Sequence, residues 1–495
     1  LEISIRPNKP VELEIGNFTI HNNSIEDSIL ISGPFVNSFG QWIFQDSSKP
    51  IIKKMEIFKK WSNEKSELTD NFDFGYSKYG GWNLKKINGT GFFDIINLNG
   101  RWWFVDPGGN LFFSLGMDCV RYQSATKINK RRKIFSKIDN IDEYDFYQNN
   151  IKLRYQKEHN VDKLTLKQNQ RLKHESFIDN WASMQNKRLL NWGFNTVGNW
   201  SDQSLWFDPK IPFVINLNFS QTGKNWEKFP DVFSKEFSDK VKISAIEQCN
   251  KFKNEELLIG YFIGNEERWP NRSFLDLIIN DQENSETKEF VNHYLNKNGD
   301  SYQVRKNLTE LLSRKYFNTI CEAIRKVDPN HLILGLRWAG GNIPDAVIKA
   351  NDVFDVFSLN MYRFSPNKSL INKLHALTGL PIIIGEFHFG TAEKGYAPSL
   401  VPVKNQYQRG VGYMYYVEQA ASMPMIVGTH YFQYLDQPVT GRFDGENYLF
   451  GFLSQQDIPY PHMINFARET HKRIYLIHQG EILPSKLLPL VRQEN

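Results

Sequence analysis

The sequence predicts an α/β fold: a (β/α)8 TIM barrel preceded by a β-rich, sandwich-like N-terminal layer. Three observations carry that expectation. Short apolar runs without a helical period recur along the chain and stop at polar or turn residues, as strands buried on both faces do. Eight can be counted, at 111–117, 196–199, 213–217, 257–264, 332–337, 356–360, 382–385 and 425–432. Segments of helical character lie between them, at 177–190, 240–253, 304–327 and 406–422, and such alternation builds a parallel sheet.

The elements follow in order. Val11-Glu12-Leu13-Glu14-Ile15 and Phe18-Thr19-Ile20 read as short strands, and residues 1–95 as the β-rich layer. Asn97-Leu98-Asn99-Gly100, between an apolar run and Arg101-Trp102-Trp103-Phe104-Val105, predicts a hairpin. The barrel is expected over 96–475, with a surface tail over 476–495. The charged stretch from Arg121 to about Phe177 reads as a helical insertion in the first βα connection. Within it, Lys130-Arg131-Arg132-Lys133 reads as a solvated helix face.

Composition narrows the function. The 495 residues carry 60 basic and 55 acidic side chains, a net charge of +5. That is too little for a nucleic-acid footprint, though it would not repel an anionic polymer. No apolar stretch is long enough to span a membrane. Cys119, Cys249 and Cys321 lack metal-ligand spacing, so buried free thiols are expected, without a disulfide framework or a metal site. Aromatic residues make up 14%, enough for a core and for stacking on sugar rings. The chain opens at Leu1 without a methionine, and a removed secretory segment with a secreted, periplasmic or cell-surface location is the expectation.

Two of the runs stop at a glutamate: Leu257 to Glu266 and Pro381 to Glu386. Carboxylates at the carboxyl ends of barrel strands stand where such folds place their chemistry. On the fourth and seventh predicted strands they would face one another across the mouth. Hydrolysis of a glycosidic bond needs such a pair, one to protonate the leaving oxygen and one to attack or stabilise the sugar carbon. Capping of the following helices is the bland alternative. Asn265 could bond a sugar 2-hydroxyl. Asn360 and Tyr362 end the sixth predicted strand. Arg337 and Trp338 end the fifth, where a guanidinium could keep a carboxylate ionised. His388, two residues beyond Glu386, is either a satisfied loop histidine or a hydroxyl ligand. Asn199 and Trp200 after the second strand, and Gln433, Asp436, Arg442 and Glu446 after the eighth, complete the expected substrate-binding set.

Asn265-Glu266 at one strand end, with a second glutamate at a later one, resembles the pattern of the retaining glycoside hydrolases of clan A. That resemblance implies Glu266 as acid/base, in preference to the adjacent Glu267, and Glu386 as nucleophile held by Tyr362. Further blocks are similar to glycoside hydrolase family 50, the β-agarases: Phe39-Gly40-Gln41, Thr90-Gly91-Phe92-Phe93, Gly100 to Pro107, Leu111 to Gly116, and Gly428 to Asn447. Tyr431 stands where that family usually has Trp, which predicts a changed platform under the sugar, and Gly264 where an Asp would be expected. The resemblance implies a galactan substrate, agarose or neoagaro-oligosaccharides first, and no cofactor. Porphyran- or carrageenan-type galactans, a related β-galactosidase activity, and a non-catalytic carbohydrate-binding barrel are the alternatives. The mode of attack along the chain and the oligomeric state are not legible in the sequence.

Overall fold

The computed structural model describes residues 33–43, 51–68, 74–129, 131–136, 138, 141–155, 166–206, 211–219, 225–267, 269, 274–340 and 343–491. At its centre lies a parallel sheet of nine strands: β1 (Ser114–Met117), β2 (Thr196–Val197), β3 (Phe213–Asn216), β4 (Leu258–Phe262), β5 (Leu332–Ile333), β6 (Trp338–Ala339), β7 (Phe357–Asn360), β8 (Ile382–Phe387) and β9 (Ile426–Tyr431). Their spatial order is β5-β4-β3-β2-β1-β9-β8-β7-β6. The two ends are therefore consecutive in the chain. Leu334 N–H reaches back to the Tyr261 carbonyl (2.7 Å), and Gly340 N–H reaches forward to that of Asn360 (2.9 Å). One segment thus touches both edges of a curled sheet, giving a TIM-like barrel. The predicted fifth strand is real but split, and Arg337 at the break takes a left-handed φ of +50°.

Every residue of β4, β8 and β9 is buried. Helices cover the outside of a parallel sheet and side chains fill its interior, so strands with two dry faces lose the alternation of an exposed strand. The inner side chains Val214, Ile259, Phe262, Leu334, Val356, Ile383 and Val427 form one cluster with Phe93, Phe104 and Phe112. The last two come from an antiparallel sheet of Asp94–Leu98, Arg101–Val105 and Leu111–Phe112. Asn99 (φ +54°) and Gly100 (φ +80°) make its two-residue turn, so the predicted hairpin forms. This small sheet plugs the end where the strands begin. The strand ends therefore form the barrel's working face.

The predicted helices appear with shifted limits as Leu166–Trp192, Lys235–Cys249, Tyr302–Val327 and Gln406–Ala421. Pro461–Gln479 was not predicted, because His471, His478 and Thr470 lie on its buried face and interrupt the apolar stripe. It runs through residue 475, so the tail starts at Gly480. The two N-terminal strand candidates at 11–15 and 18–20 lie outside the described residues. Between 33 and 93 the described chain holds a helix, Lys54–Glu67, and isolated bridges, so a β-rich layer is not found there. The insertion holds a two-strand ribbon, Thr126–Lys127 with Glu143–Tyr144, before its helices.

The basic run meets its expectation in part. Arg131 donates to the carbonyls of Thr440 (2.9 Å) and Lys127 (2.7 Å), and Arg132 donates to that of Ile138, while Lys130 lies outside the described residues. These arginines tie loops together, while Arg132 and Lys133 are exposed on a short 3-10 helix, Arg132–Ile134. Among the described residues no helix is long and apolar enough to cross a membrane, and no cluster of His, Cys, Asp or Glu could hold a metal. The three cysteines are free and buried.

Candidate active site

Strand ends β1, β4, β6, β7 and β8 deliver one connected network. Arg337 is fully buried and its Nη2 donates to Glu386 Oε1 (2.7 Å) and to Asp118 Oδ2 (3.0 Å). Its Nε donates to Asn265 Oδ1 (2.9 Å), which also accepts from Asn360 Nδ2 (3.2 Å). The guanidinium can only donate, so the Asn265 oxygen must face it, and its NH2 is directed elsewhere. Asn360 Nδ2 also donates to Glu266 Oε1 (3.0 Å). Tyr362 donates its hydroxyl to Glu386 Oε2. The two predicted carboxylates thus belong to one set of side chains.

Close packing makes the network possible. A methyl group on Gly385 would lie 2.9 Å from Asn360 Oδ1 and 3.1 Å from Arg337 Nη1. One on Gly198 would lie 2.0 Å from Asp118 Oδ1. Real Cβ atoms essentially never come within 3.0 Å, so Gly198 must be bare, while a methyl at Gly385 would force the Asn360 and Arg337 side chains to give way slightly. Four residues without that freedom, Cys119, Trp200, Glu266 and Arg337, nevertheless hold φ between +50° and +57°. Such conformations cost about 1–3 kcal/mol each and persist where the surroundings enforce them, commonly at functional sites.

The two glutamates differ in environment. Glu386 is 4% exposed, and burial pushes its carboxyl above the usual range while Arg337 and Tyr362 oppose the shift. Glu266 is exposed at the rim. Asp118, fully buried, is pushed up to about 7 by burial, with Arg337 opposing and Glu386 adding to the rise. Its Oδ1 accepts the Asn199 N–H (2.9 Å), and His430 Nδ1 stands 3.9 Å away. Burial holds His430 and His388 neutral, each lowered to about 3.

The remaining predicted residues divide. Trp200 reaches the site, with the Arg337 guanidinium 4.6 Å over its ring. Asn199 contributes its backbone, holding Asp118 and accepting from the Cys119 N–H (2.8 Å). His388 packs between the rings of Tyr362 (4.6 Å) and Phe450 (4.7 Å). Trp338 points away: its indole donates to Asn351 (2.9 Å) and its ring meets Trp269 (5.8 Å) on the outside of the barrel. Arg337 faces the mouth from the left-handed break, and Trp338, the first residue of β6, faces outward. Asp436 spends both oxygens internally, on Gly451 N–H (2.7 Å) and the Tyr460 hydroxyl (2.7 Å). Gln433 is buried and donates to the Leu435 carbonyl (2.7 Å). Arg442 and Glu446 pair with each other (2.7 Å), and Arg442 also pairs with Asp444 (2.9 Å).

Tyr431 is no platform. It is fully buried, and its hydroxyl donates to the Phe450 carbonyl (2.7 Å). Trp200 and Phe432, both half-buried and 5.9 Å apart edge to face, present the aromatic surface instead. Glu267 is half-buried and pushed up by burial, and among the described residues no bond ties it to the Arg337 network, whereas Glu266 accepts from Asn360 within it. Asp118 was missed, although it ends the run Leu111–Met117 just as the glutamates end theirs. Ser358, whose hydroxyl accepts the Arg337 N–H (2.6 Å), had no such signal.

No protein-family model matches the chain. Among curated proteins it is 29% identical to Beta-agarase B of Vibrio sp. (strain JT0107) over 551 aligned residues, covering 95% of this chain and 57% of that protein. It is 30% identical to Beta-agarase A of the same organism, covering 77% of this chain and 45% of that one. The chain resembles β-agarases along nearly its whole length. It spans about half the length of these curated relatives. A crystal structure of an agarase superposes with a TM-score of 0.79 at 27% identity, covering 90% of this chain and 73% of the agarase. A structure of an exo-β-agarase gives 0.79 at 26% identity, covering 90% and 74%.

Proposed function

We propose that this chain is a retaining glycoside hydrolase of agarase type that cuts β-galactosidic bonds of an algal galactan, agarose or its neoagaro-oligosaccharides. The observation that carries it is the network just described, with two glutamates joined through Arg337, Asn265 and Asn360. Glu386, buried and gripped by two donors, suits a nucleophile. Glu266, exposed at the rim, suits a group that must meet both leaving group and water. In the first step a Glu386 oxygen bonds to the anomeric carbon. The glycosidic C–O bond breaks toward its oxygen, and Glu266 delivers a proton there. In the second, Glu266 takes a proton from a water whose oxygen attacks that carbon, and Glu386 departs as carboxylate.

A neutral galactan fits better than a sulfated one, because Arg442 is already matched by Asp444 and Glu446. A gel-forming polymer also goes with a secreted, periplasmic or cell-surface location. The test is incubation with agarose, porphyran, carrageenans and their oligosaccharides, with products followed by mass and anomeric NMR. Cleavage of agarose with a β-configured first product is expected. An α-configured first product sinks the retaining mechanism, and cleavage of another galactan alone replaces the substrate.

A further inference from the structure

We propose that the exposed ring of Phe443, with the Arg442 guanidinium beside it, is an outer sugar-binding platform for the part of the galactan chain beyond the cleavage point. The inference rests on the functional reading above and extends it to substrate length. A path leads outward from the nucleophile ring by ring. Arg337, bonded to Glu386, lies over Trp200 at 4.6 Å. Trp200 meets Phe432 at 5.9 Å, and the Arg442 guanidinium lies 5.9 Å over Phe432 and 5.3 Å over Phe443. Exposure rises along the same path. Trp200 and Phe432 are half-buried, while Phe443 is 69% exposed, against 37% for Phe58.

A single exposed apolar side chain is ordinary on a protein surface. What separates Phe443 is the investment in holding it still. The Arg442 N–H donates to the Glu446 carbonyl (2.9 Å), and the Gly445 N–H returns to that of Arg442 (3.0 Å). The insertion in the first connection, which the chemistry at Glu386 does not use, braces the same turn. Thr126 donates its hydroxyl to the Gly441 carbonyl (2.6 Å), Arg131 donates to that of Thr440 (2.9 Å), and Lys127 donates to that of Phe443 itself (3.1 Å). Asp444 and Glu446 hold the Arg442 guanidinium in place and cancel its charge, so it serves as a flat neighbour more than as an anion trap. A fixed aromatic plane lowers the ordering cost of binding, and the C–H face of a sugar is the surface that matches it.

The experiment compares wild type, Phe443→Ala and Phe443→Trp on a ladder of agarose oligosaccharides of increasing length, with Glu386→Gln backgrounds retarded in agarose gels as the binding readout. For the Ala variant kcat/KM should fall about three- to tenfold on the longest members and less on the shortest. The loss should lie in KM rather than kcat, gel retardation should weaken, and Trp should restore both. A loss equal at every length, or no loss at all, while the wild type cleaves the ladder, overturns the platform alone. A wild type that neither cleaves nor binds any member overturns the agarase reading and the platform with it.

Discussion

The buried ions beneath the N-terminal helix and those at the barrel mouth differ in their count of cations. In the first group Arg188 and Arg154 both bind Glu64 (2.8 Å each), and they bind Asp457 from two sides (2.7 and 2.8 Å). Two cations meet two carboxylates. Asp457 is held below the usual carboxylate range, although burial alone would raise it, because the two guanidinium groups outweigh the burial. At the mouth, among the described residues, Arg337 alone meets both Asp118 and Glu386, and both carboxyls are pushed up. The balanced group pins helix Lys54–Glu67 and two later helices to the barrel. The unbalanced one leaves its carboxyls short of charge compensation, the environment in which reacting groups cluster. Fastening and chemistry use the same residue types here, and the ratio separates them.

Four substitutions would break or sharpen that contrast, in falling order of effect. Glu386→Gln should lower kcat on the order of 10⁴-fold or more without lowering the melting temperature, since it removes a poorly compensated charge. A near-normal rate would dissolve the distinction. Arg188→Met leaves two buried carboxylates facing one cation, and should cost about 3–5 kcal/mol of stability by urea titration. The folded fraction should keep its specific activity; lost activity in a fully folded protein would show that the two groups are coupled. Tyr362→Phe removes a donor to an ionised oxygen and should raise the barrier by about 1.5–3 kcal/mol, seen as a fall in kcat. An unaltered kcat would show the hydroxyl to be idle.

Asp118→Asn should change rate least and pH dependence most. Asp118 rises from about 3.9 unfolded to about 7 folded. The stability tied to its protonated form is complete below the unfolded value and lost as pH climbs through the folded one. The wild type should therefore lose stability between these values, and the Asn variant should lose less. With one competitor for Arg337 gone, Glu386 should ionise more readily. The acid limb of kcat/KM should then move down by up to about one unit. His430, Cys119 and the Asn199 N–H also face Asp118 and stay in place. A limb that does not move would reduce Asp118 to packing.

How much of this was legible depended on whether function coincided with strand pattern. Glu266 and Glu386 stood out because uninterrupted apolar runs stop at them, and Arg337, Asn360 and Tyr362 followed from the same rule. Asp118 obeys it too but is hidden by Cys119-Val120, which prolong the apolar stretch. Trp338 was misread because its strand-end position says nothing about which way it faces. Asp436 stays out of the network because both its oxygens are bonded internally, which sequence cannot show. The split of the fifth strand arises from long-range pairing with both barrel edges, which no local signal encodes.

Gly198 and Gly385 have a consequence for reading other genomes. A sequence can keep both glutamates through drift and still have lost the reaction. An added methyl at position 198 would meet Asp118 Oδ1 at 2.0 Å and backbone atoms at 2.9 Å, and one at 385 would press on Asn360 and the guanidinium at 2.9–3.2 Å, while every acidic residue stays intact. These two bare positions therefore offer a sharper criterion than the glutamates for sorting working homologues from silent ones, and a revertant restoring glycine would be the assay.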